Sequence, residues 1–240
     1  MSEIGFVHSF ESFSAVDGPG IRVVVFLQGC VNGCIYCHNP DTWAIGCGRR
    51  IEAKELAEKI EEYRGYIRSG GVTLSGGEPF LQPFFSEELL IRCKENGFHT
   101  AVESSGSVDL KVAESVLEET DLLILDLKAL RQKDCEKVCG IDINKSIEIL
   151  KYCEEEKKPV WVRHVLVPGV NLDYEKLEEM AEFLKKFKTI KRVELLPFHK
   201  MGEYKWEELS IPYTLKNTKT PTENEMEKAF EIFRRYGFVM

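Results

Sequence analysis

The sequence predicts an α/β fold, a partial (β/α)6 TIM-like barrel of parallel strands, and three observations predict it. Six short apolar runs, at residues 21–27, 71–74, 99–103, 122–126, 160–165 and 193–196, read as strands covered on both faces. Amphipathic helical patterns alternate with them, which implies parallel strands joined by right-handed crossovers. A polar or glycine-rich segment follows each run, at the carboxyl ends where α/β folds collect function. Periodicity alone does not separate such a barrel from an open doubly wound sheet.

The first run, Ile21-Arg-Val-Val-Val-Phe-Leu27, is broken by Gln28-Gly29 and followed by Cys30-Val-Asn-Gly-Cys34-Ile-Tyr-Cys37. Ala53, Leu56, Ile60 and Tyr63 recur at steps of three and four and predict the next helix. Run 71–74 leads into Ser75-Gly-Gly-Glu-Pro79, and Phe85, Leu89 and Cys93 mark a helix that Gly97 ends. Run 99–103 leads into Glu103-Ser-Ser-Gly106, with a helix at Leu110, Ala113 and Leu117. Run 122–126 leads into Asp126-Leu-Lys128, with a helix at Ile147, Leu150 and Cys153. Run 160–165 leads into Val167-Pro-Gly169, with a helix at Leu177, Ala181, Leu184 and Phe187. Run 193–196 leads into Pro197-Phe-His199, and Met226, Phe230 and Phe233 mark a final helix. The stretch 201–221, with Tyr204, Trp206 and Tyr213, reads as a long irregular loop.

A length of 240 residues with 43% hydrophobic and 30% charged residues suits one soluble globular domain, taken as residues 1–240. Net charge is −8, and Lys185-Lys-Phe-Lys188 lies beside Glu178-Glu179, a mixture that argues against nucleic acid as partner. The start has neither a basic region nor a long apolar core, and no apolar run could cross a bilayer, so a cytoplasmic protein is expected. In that compartment eight cysteines are not read as a disulfide scaffold.

Three thiols within eight residues are the sharpest signal. They suffice for three irons of a [4Fe–4S] cluster, and no nearby cysteine completes the set, so one iron stays open to chemistry. A zinc site completed by His38 is the rival, but His38 directly follows Cys37, and adjacent residues rarely converge on one tetrahedral ion. Cys135 and Cys139 have helical spacing with no further thiol pair nearby, so a second cluster is not expected, and Cys47, Cys93 and Cys153 read as incidental. Gly76-Gly77 after an apolar strand reads as a place where a ligand meets the main chain. Asp126 and Lys128 flank one apolar residue and should face the same way. Glu103 and Ser104 suit a sugar hydroxyl or a hard cation, with a capping turn the bland alternative. Arg163 inside an apolar strand points to a substrate or cofactor role, since buried arginine needs a partner. His199 is a candidate for stacking or hydrogen bonding.

These motifs resemble those of the radical S-adenosylmethionine (SAM) enzymes: C-x₃-C-x₂-C after the first strand and Gly-Gly-Glu-Pro after the second. Phe10-Glu-Ser12, Val16-Asp-Gly-Pro-Gly-Ile-Arg22, Tyr36-Cys-His-Asn39, Asp41-Thr-Trp43, Glu194-Leu-Leu-Pro197 and residues 199–206 extend the resemblance, nearly end to end, to the activating enzymes of pyruvate formate-lyase. The resemblance implies that Cys30, Cys34 and Cys37 ligate the cluster and that S-adenosylmethionine chelates the fourth iron. Reductive cleavage would then give a 5′-deoxyadenosyl radical that takes hydrogen from a backbone glycine of a partner, most simply pyruvate formate-lyase. By the same motifs Gly76, Gly77 and Glu78 would hold the methionine portion, and Tyr36 would pack near the adenine. Glu103, Ser104, Asp126, Lys128 and His199 would line the cofactor site, Asp126 joining a monovalent cation there, while Asp17 and Arg163 would lie toward the substrate peptide. A flavodoxin or ferredoxin-type electron donor and a monomeric state are also implied. Glu103-Ser-Ser-Gly106 departs from the family's Asp-Thr-Asn-Gly, and Pro79 stands in place of its Ala. No ferredoxin-like insert fits between Cys37 and Ile51, which sets the chain apart from activases of other glycyl radical enzymes. Rivals are the activase of anaerobic ribonucleotide reductase and a non-catalytic iron–sulfur or zinc protein.

Overall fold

The computed structural model describes residues 2–240 and divides into two units. One unit comprises Met1–Val31 and Thr42–Ile124, the other Asn32–Asp41 and Leu125–Met240. Among the described residues no helix is long and apolar enough to cross a membrane, and all eight cysteines carry unbridged thiols.

The first unit holds β1 (Ile4–Ser14), β2 (Arg22–Leu27), β3 (Arg49–Glu52), α1 (Ala53–Glu61), α2 (Arg64–Ile67), β4 (Gly71–Gly76), α3 (Pro83–Glu95), β5 (His99–Ser104), α4 (Leu110–Glu118) and the start of β6 (Leu122–Asp126). Its strand order is β3-β1-β2-β4-β5-β6. Strands β2, β4 and β5 pair in parallel, with Val23 opposite Val72 and Val72 opposite Thr100. Their residues are almost all buried, as a continuous apolar run requires when both faces are covered. Strands β1 and β3 are additions to the expected six. Both are antiparallel, β1 pairing with β2 and β3, and neither has an apolar run: β1 alternates exposed and shielded positions, and β3 buries Ile51 alone. They escape a search for buried parallel strands because they lie at the sheet's margin.

Arg22, fully buried at the start of β2, organises the loop before it. Its guanidinium donates to Thr73 Oγ1 (2.6 Å), Val72 O (2.6 Å), His99 O (3.1 Å) and Pro19 O (3.1 Å), while Thr73 Oγ1 donates to Asp17 O (2.6 Å). Burial lowers its pKa to about 10, so it remains a cation.

The second unit holds the end of β6, α5 (Gln132–Cys135), α6 (Ile143–Glu155), β7 (Val160–Leu166), α7 (Tyr174–Leu184), β8 (Ile190–Pro197), α8 (Glu203–Glu208) and α9 (Glu223–Arg235), with strand order β6-β7-β8. Strands β7 and β8 are parallel, with Arg163 opposite Glu194. Helix α8 lies within the stretch expected to be irregular, and its Trp206 is buried. The phase of α6 also differs from expectation: Ile143, Ile149, Leu150 and Cys153 are buried, while Ile147 is only half-buried. The backbone N–H of Val193 reaches Val239 O (3.0 Å), so the chain's end occupies the edge of β8.

His164, buried in β7, donates from Nδ1 to Leu127 O (2.7 Å). Burial lowers its pKa below the ordinary histidine value, and His38 and His99 shift the same way. The unfolded chain therefore takes up protons first as pH falls through about 6.5. Stability carried by neutral His164 is complete above that pH and declines below it, by up to about 1.4 kcal/mol per pH unit until the folded pKa is reached. Urea unfolding of wild type and His164→Asn at pH 7.5, 6.0 and 5.0 should show the stability gap between them narrowing as pH falls. A constant gap would remove His164 from the acid response.

Candidate active site

In the first unit the Gly-Gly-Glu segment at the end of β4 is bonded to the strand end that precedes Cys30. Gly77 N donates to Leu27 O and Glu78 N to Gly29 O, each at 2.8 Å. Gly29 N in turn donates to Thr42 O (2.7 Å) and Cys30 N to Trp43 O (3.2 Å), so the entry to the cysteine segment is held from two sides. A Cβ on Gly77 would stand 2.1 Å from Gly29 O, and one on Gly76, whose φ is +99°, would stand 2.5 Å from Leu27 N. Packing of backbone on backbone is thus a second reason for these glycines, beside the approach of a ligand. Gly77→Ala should cost about 2 kcal/mol or more through overpacking. A thermal melt should show Tm lowered by roughly 4–8 °C, with less iron retained per chain; a variant that melts with wild type would show that the loop yields freely.

Glu78, 1% exposed, is enclosed by donors. Ser104 Oγ donates to one carboxylate oxygen (2.6 Å), Ser105 Oγ (2.7 Å) and Ser105 N (3.1 Å) to the other, and Phe80 N to the first (3.3 Å). Burial raises its pKa, and the serine hydrogen bonds oppose that rise. Its side chain therefore clamps the end of β4 to the end of β5, and Ser104 belongs to that clamp. Glu103, one residue earlier and on the other face, accepts from Ser75 Oγ (2.6 Å). In the preceding loop, Asp17 accepts from Ser14 Oγ (2.5 Å). The clamp residue Ser105 and the anchor Arg22 are additions to the residues singled out by sequence. A second serine beside Ser104 and an arginine opening an apolar strand were the available signals.

In the second unit, Cys34 is buried and Cys37 half-buried, with Cys37 N donating to Cys34 O (3.0 Å). A hydrogen bond with Cys139 and burial hold the Cys34 thiol well above the usual range, so loading a metal there is coupled to proton release. Tyr36, also buried, packs its ring 5.1 Å from Lys128 Nζ. Lys128 is buried and pairs with Asp126, the same-face arrangement that their spacing predicts. Burial pulls the lysine pKa down, but Asp126 foremost outweighs it, so the group is a fixed cation. His199 stacks on His38 with ring centroids 4.1 Å apart, and its carbonyl accepts from His38 Nε2 (3.1 Å). Trp206 Nε1 donates to Cys37 O (2.9 Å), and Lys205 reaches Asn39 (2.8 Å) and Asp41 (2.9 Å). Residues 199–206 are thus fastened to the segment that follows the last cysteine. Arg163 has a partner in its own sheet, Glu194 Oε2 at 2.7 Å, so its burial alone requires no ligand.

Tyr36 Oη, Asp126 Oδ1 and His199 Nδ1 are among the buried polar atoms of this unit without a hydrogen-bond partner. Buried polar groups are normally satisfied, and a polar ligand is one means of satisfying them. An amino acid joined to a nucleoside offers the required amine, carboxylate and hydroxyl groups, so these residues fit the cofactor that the motifs imply. Among the described residues no three His, Cys, Asp or Glu side chains converge on one metal ion. Thiolates of a four-iron cluster bind separate irons and need no such convergence.

The family model of the radical SAM superfamily matches residues 24–192. The pyruvate formate-lyase 1-activating enzyme of Escherichia coli (strain K12) is 38% identical over 241 residues, 99% of this chain and 98% of that protein. A crystallised domain of a pyruvate-formate lyase-activating enzyme from Bacteroides vulgatus has a TM-score of 0.59 at 28% identity, covering 70% of this chain and 96% of that one. A radical SAM methyltransferase from Sphaerobacter thermophilus, 19% identical, has a TM-score of 0.68 over 90% of this chain and 64% of its own, which speaks to the fold alone. The mostly parallel α/β class read from the sequence is that of this superfamily, whose members use a [4Fe–4S] cluster and S-adenosylmethionine. By the match along residues 24–192 and by near full-length identity, this chain belongs to the radical SAM superfamily and, within it, to the pyruvate formate-lyase-activating enzymes.

Proposed function

We propose that this chain, working as a single domain over residues 1–240, activates a glycyl radical enzyme, pyruvate formate-lyase, by installing the radical on a backbone glycine. When bound, the cluster and S-adenosylmethionine supply reductive cleavage of the sulfonium and the hydrogen-abstracting radical. The chain's residues hold and orient. Cys30, Cys34 and Cys37 provide three thiolates and leave one iron to the cofactor. Gly76 and Gly77 offer main chain to the methionine portion, with the Glu78 carboxylate keeping that strand end in place through Ser104. Tyr36 bounds the adenine, and Asp126, Lys128, Glu103 and His199 complete the polar lining, with Asp126 able to join a monovalent cation. Asp17 and Arg163 face the partner's glycine segment, Arg163 being oriented by Glu194.

One observation carries this reading: a cysteine triplet without a fourth member begins directly after β2, where the Gly-Gly-Glu segment is bonded to Gly29. The electron is taken from a flavodoxin or ferredoxin-type donor, and the activase works as a monomer. The test is to mix anaerobically reconstituted protein, S-adenosylmethionine and reductant with pyruvate formate-lyase and, separately, with anaerobic ribonucleotide reductase. A glycyl doublet in the electron paramagnetic resonance (EPR) spectrum of the first mixture is expected. A doublet only in the second would move the assignment to that rival; 5′-deoxyadenosine without either doublet would leave the radical chemistry but remove both partners.

A further inference from the structure

The second unit contains a buried chain of polar groups that the proposed reaction does not use. Strand β6 ends at Asp126, so Leu127 lies beyond it, yet both peptide groups of Leu127 are held from β7. Leu127 N donates to Arg163 O (2.9 Å), and Leu127 O accepts from His164 Nδ1 (2.7 Å). A carbonyl only accepts, so Nδ1 carries the proton and Nε2 of the neutral ring is left to accept. Asn171 Nδ2 stands 3.5 Å from that nitrogen. The Asn171 amide is fixed in turn, its Oδ1 accepting from Val167 N (2.6 Å) and its Nδ2 donating to Val165 O (2.7 Å). The loop after β7 thus orients the imidazole, and the imidazole holds the residue between Asp126 and Lys128.

We propose that His164 is a positioning residue for S-adenosylmethionine: through the Leu127 carbonyl it fixes the strand end from which Asp126 and Lys128 meet the cofactor. This rests on the reading above that those two residues line the cofactor site. A residue gripped at both its N–H and its C=O cannot turn without breaking a bond, and a buried carbonyl must keep a donor. Asp126 and Lys128 are its immediate neighbours and pair with each other. Asp126 Oδ1 finds no hydrogen-bond partner among the described residues, so backbone and Lys128 set its direction. Binding groups work only within about 0.5 Å of the productive geometry, so a modest turn at Leu127 is enough to spoil both. An apolar residue in place of His164 would fill the space but leave the Leu127 carbonyl without this donor, and the strand end would shift to find another.

His164→Leu, His164→Asn, His164→Gln and Leu184→Ala should be reconstituted anaerobically and titrated with S-adenosylmethionine by calorimetry. Urea unfolding and amide exchange of residues 125–130, followed by mass spectrometry, would be read beside it. In His164→Leu the Kd should rise about five- to twentyfold, the scale of one lost buried hydrogen bond, and exchange at 125–130 should quicken. An Asn amide can place its N–H where the imidazole Nδ1 stands, so His164→Asn should bind within about threefold of wild type. Leu184 is buried in α7 outside this chain of bonds, so Leu184→Ala should be less stable yet bind as wild type. The proposal is overturned by a Leu variant that binds within twofold of wild type, or by an Asn variant as weak as Leu. Weakening of Leu184→Ala in step with its stability would overturn it too. If His164→Leu does not load, Gln decides: its N–H reaches the Nε2 place instead, so it should bind at least about fivefold more weakly than Asn, and equal affinities reject the idea. Asp126→Asn and Lys128→Gln test the underlying reading. Wild-type binding in both would remove that reading, whereas weak binding in both with His164→Leu unchanged would remove only this inference.

Discussion

Cys34→Ala is expected to give a folded protein that forms no 5′-deoxyadenosine above background, a loss of at least about a thousandfold, or roughly 4 kcal/mol in the barrier. The substitution removes a single sulfur from a small buried side chain. It leaves the backbone bonds Cys37 N to Cys34 O and Ile35 N to Val138 O in place. The fold should therefore survive, with a packing cost on the order of 1 kcal/mol. Two thiolates cannot hold three irons, so both cluster and cofactor chemistry should disappear together. Iron content, the EPR of the reduced protein, nucleoside product by chromatography and a thermal melt would be read side by side. Cys153→Ala is the matched control: it deletes another buried thiol, one whose pKa burial pushes up to about 12, and it should stay active. Product formation by Cys34→Ala at the wild-type rate would exclude Cys34 from the ligand set.

Glu78→Ala should cost about 3–5 kcal/mol and lower Tm by roughly 10 °C. Removal of the carboxylate leaves Ser104 Oγ, Ser105 Oγ and Ser105 N without their acceptor in a closed space. Glu78→Gln keeps the volume but turns an amide N–H toward some of those donors, so about 1–2 kcal/mol is expected. The pair of variants also separates two roles for this residue. A clamp predicts that S-adenosylmethionine binding weakens in step with stability, more in Ala than in Gln. A side chain that itself grips the cofactor predicts a Gln variant with nearly wild-type stability and no binding. Calorimetric titration alongside urea unfolding would distinguish them.

Several parts of this site were legible in the residues alone. Five of the six expected strands start within one residue of their observed start, because parallel strands buried on both faces leave continuous apolar runs. The pairing of Asp126 with Lys128 follows from the two-residue period of a strand, and the stacking of His199 was foreseen as an option. Strands β1 and β3 were hidden because marginal antiparallel strands need only partial apolar character. Helix α8 was hidden because its six residues are too few to show a period. Arg163 illustrates a different gap: sequence shows that a buried guanidinium needs a partner but does not say that the partner is Glu194 on the next strand.

By itself the sequence determined the class of chemistry, because thiols at C-x₃-C-x₂-C spacing after an apolar strand suit few metal groups other than a cluster with one open iron. It also determined the α/β class, since alternation of strand and helix is written in local periodicity. Only the tertiary structure decided what each polar side chain does. It made Glu78 a clamp, gave Arg22 four acceptors and bonded Ile35 N to Val138 O across about a hundred residues of chain. The physical reason is that periodicity reports which face of an element is buried, whereas a hydrogen bond between distant residues depends on how elements pack, which no local pattern encodes.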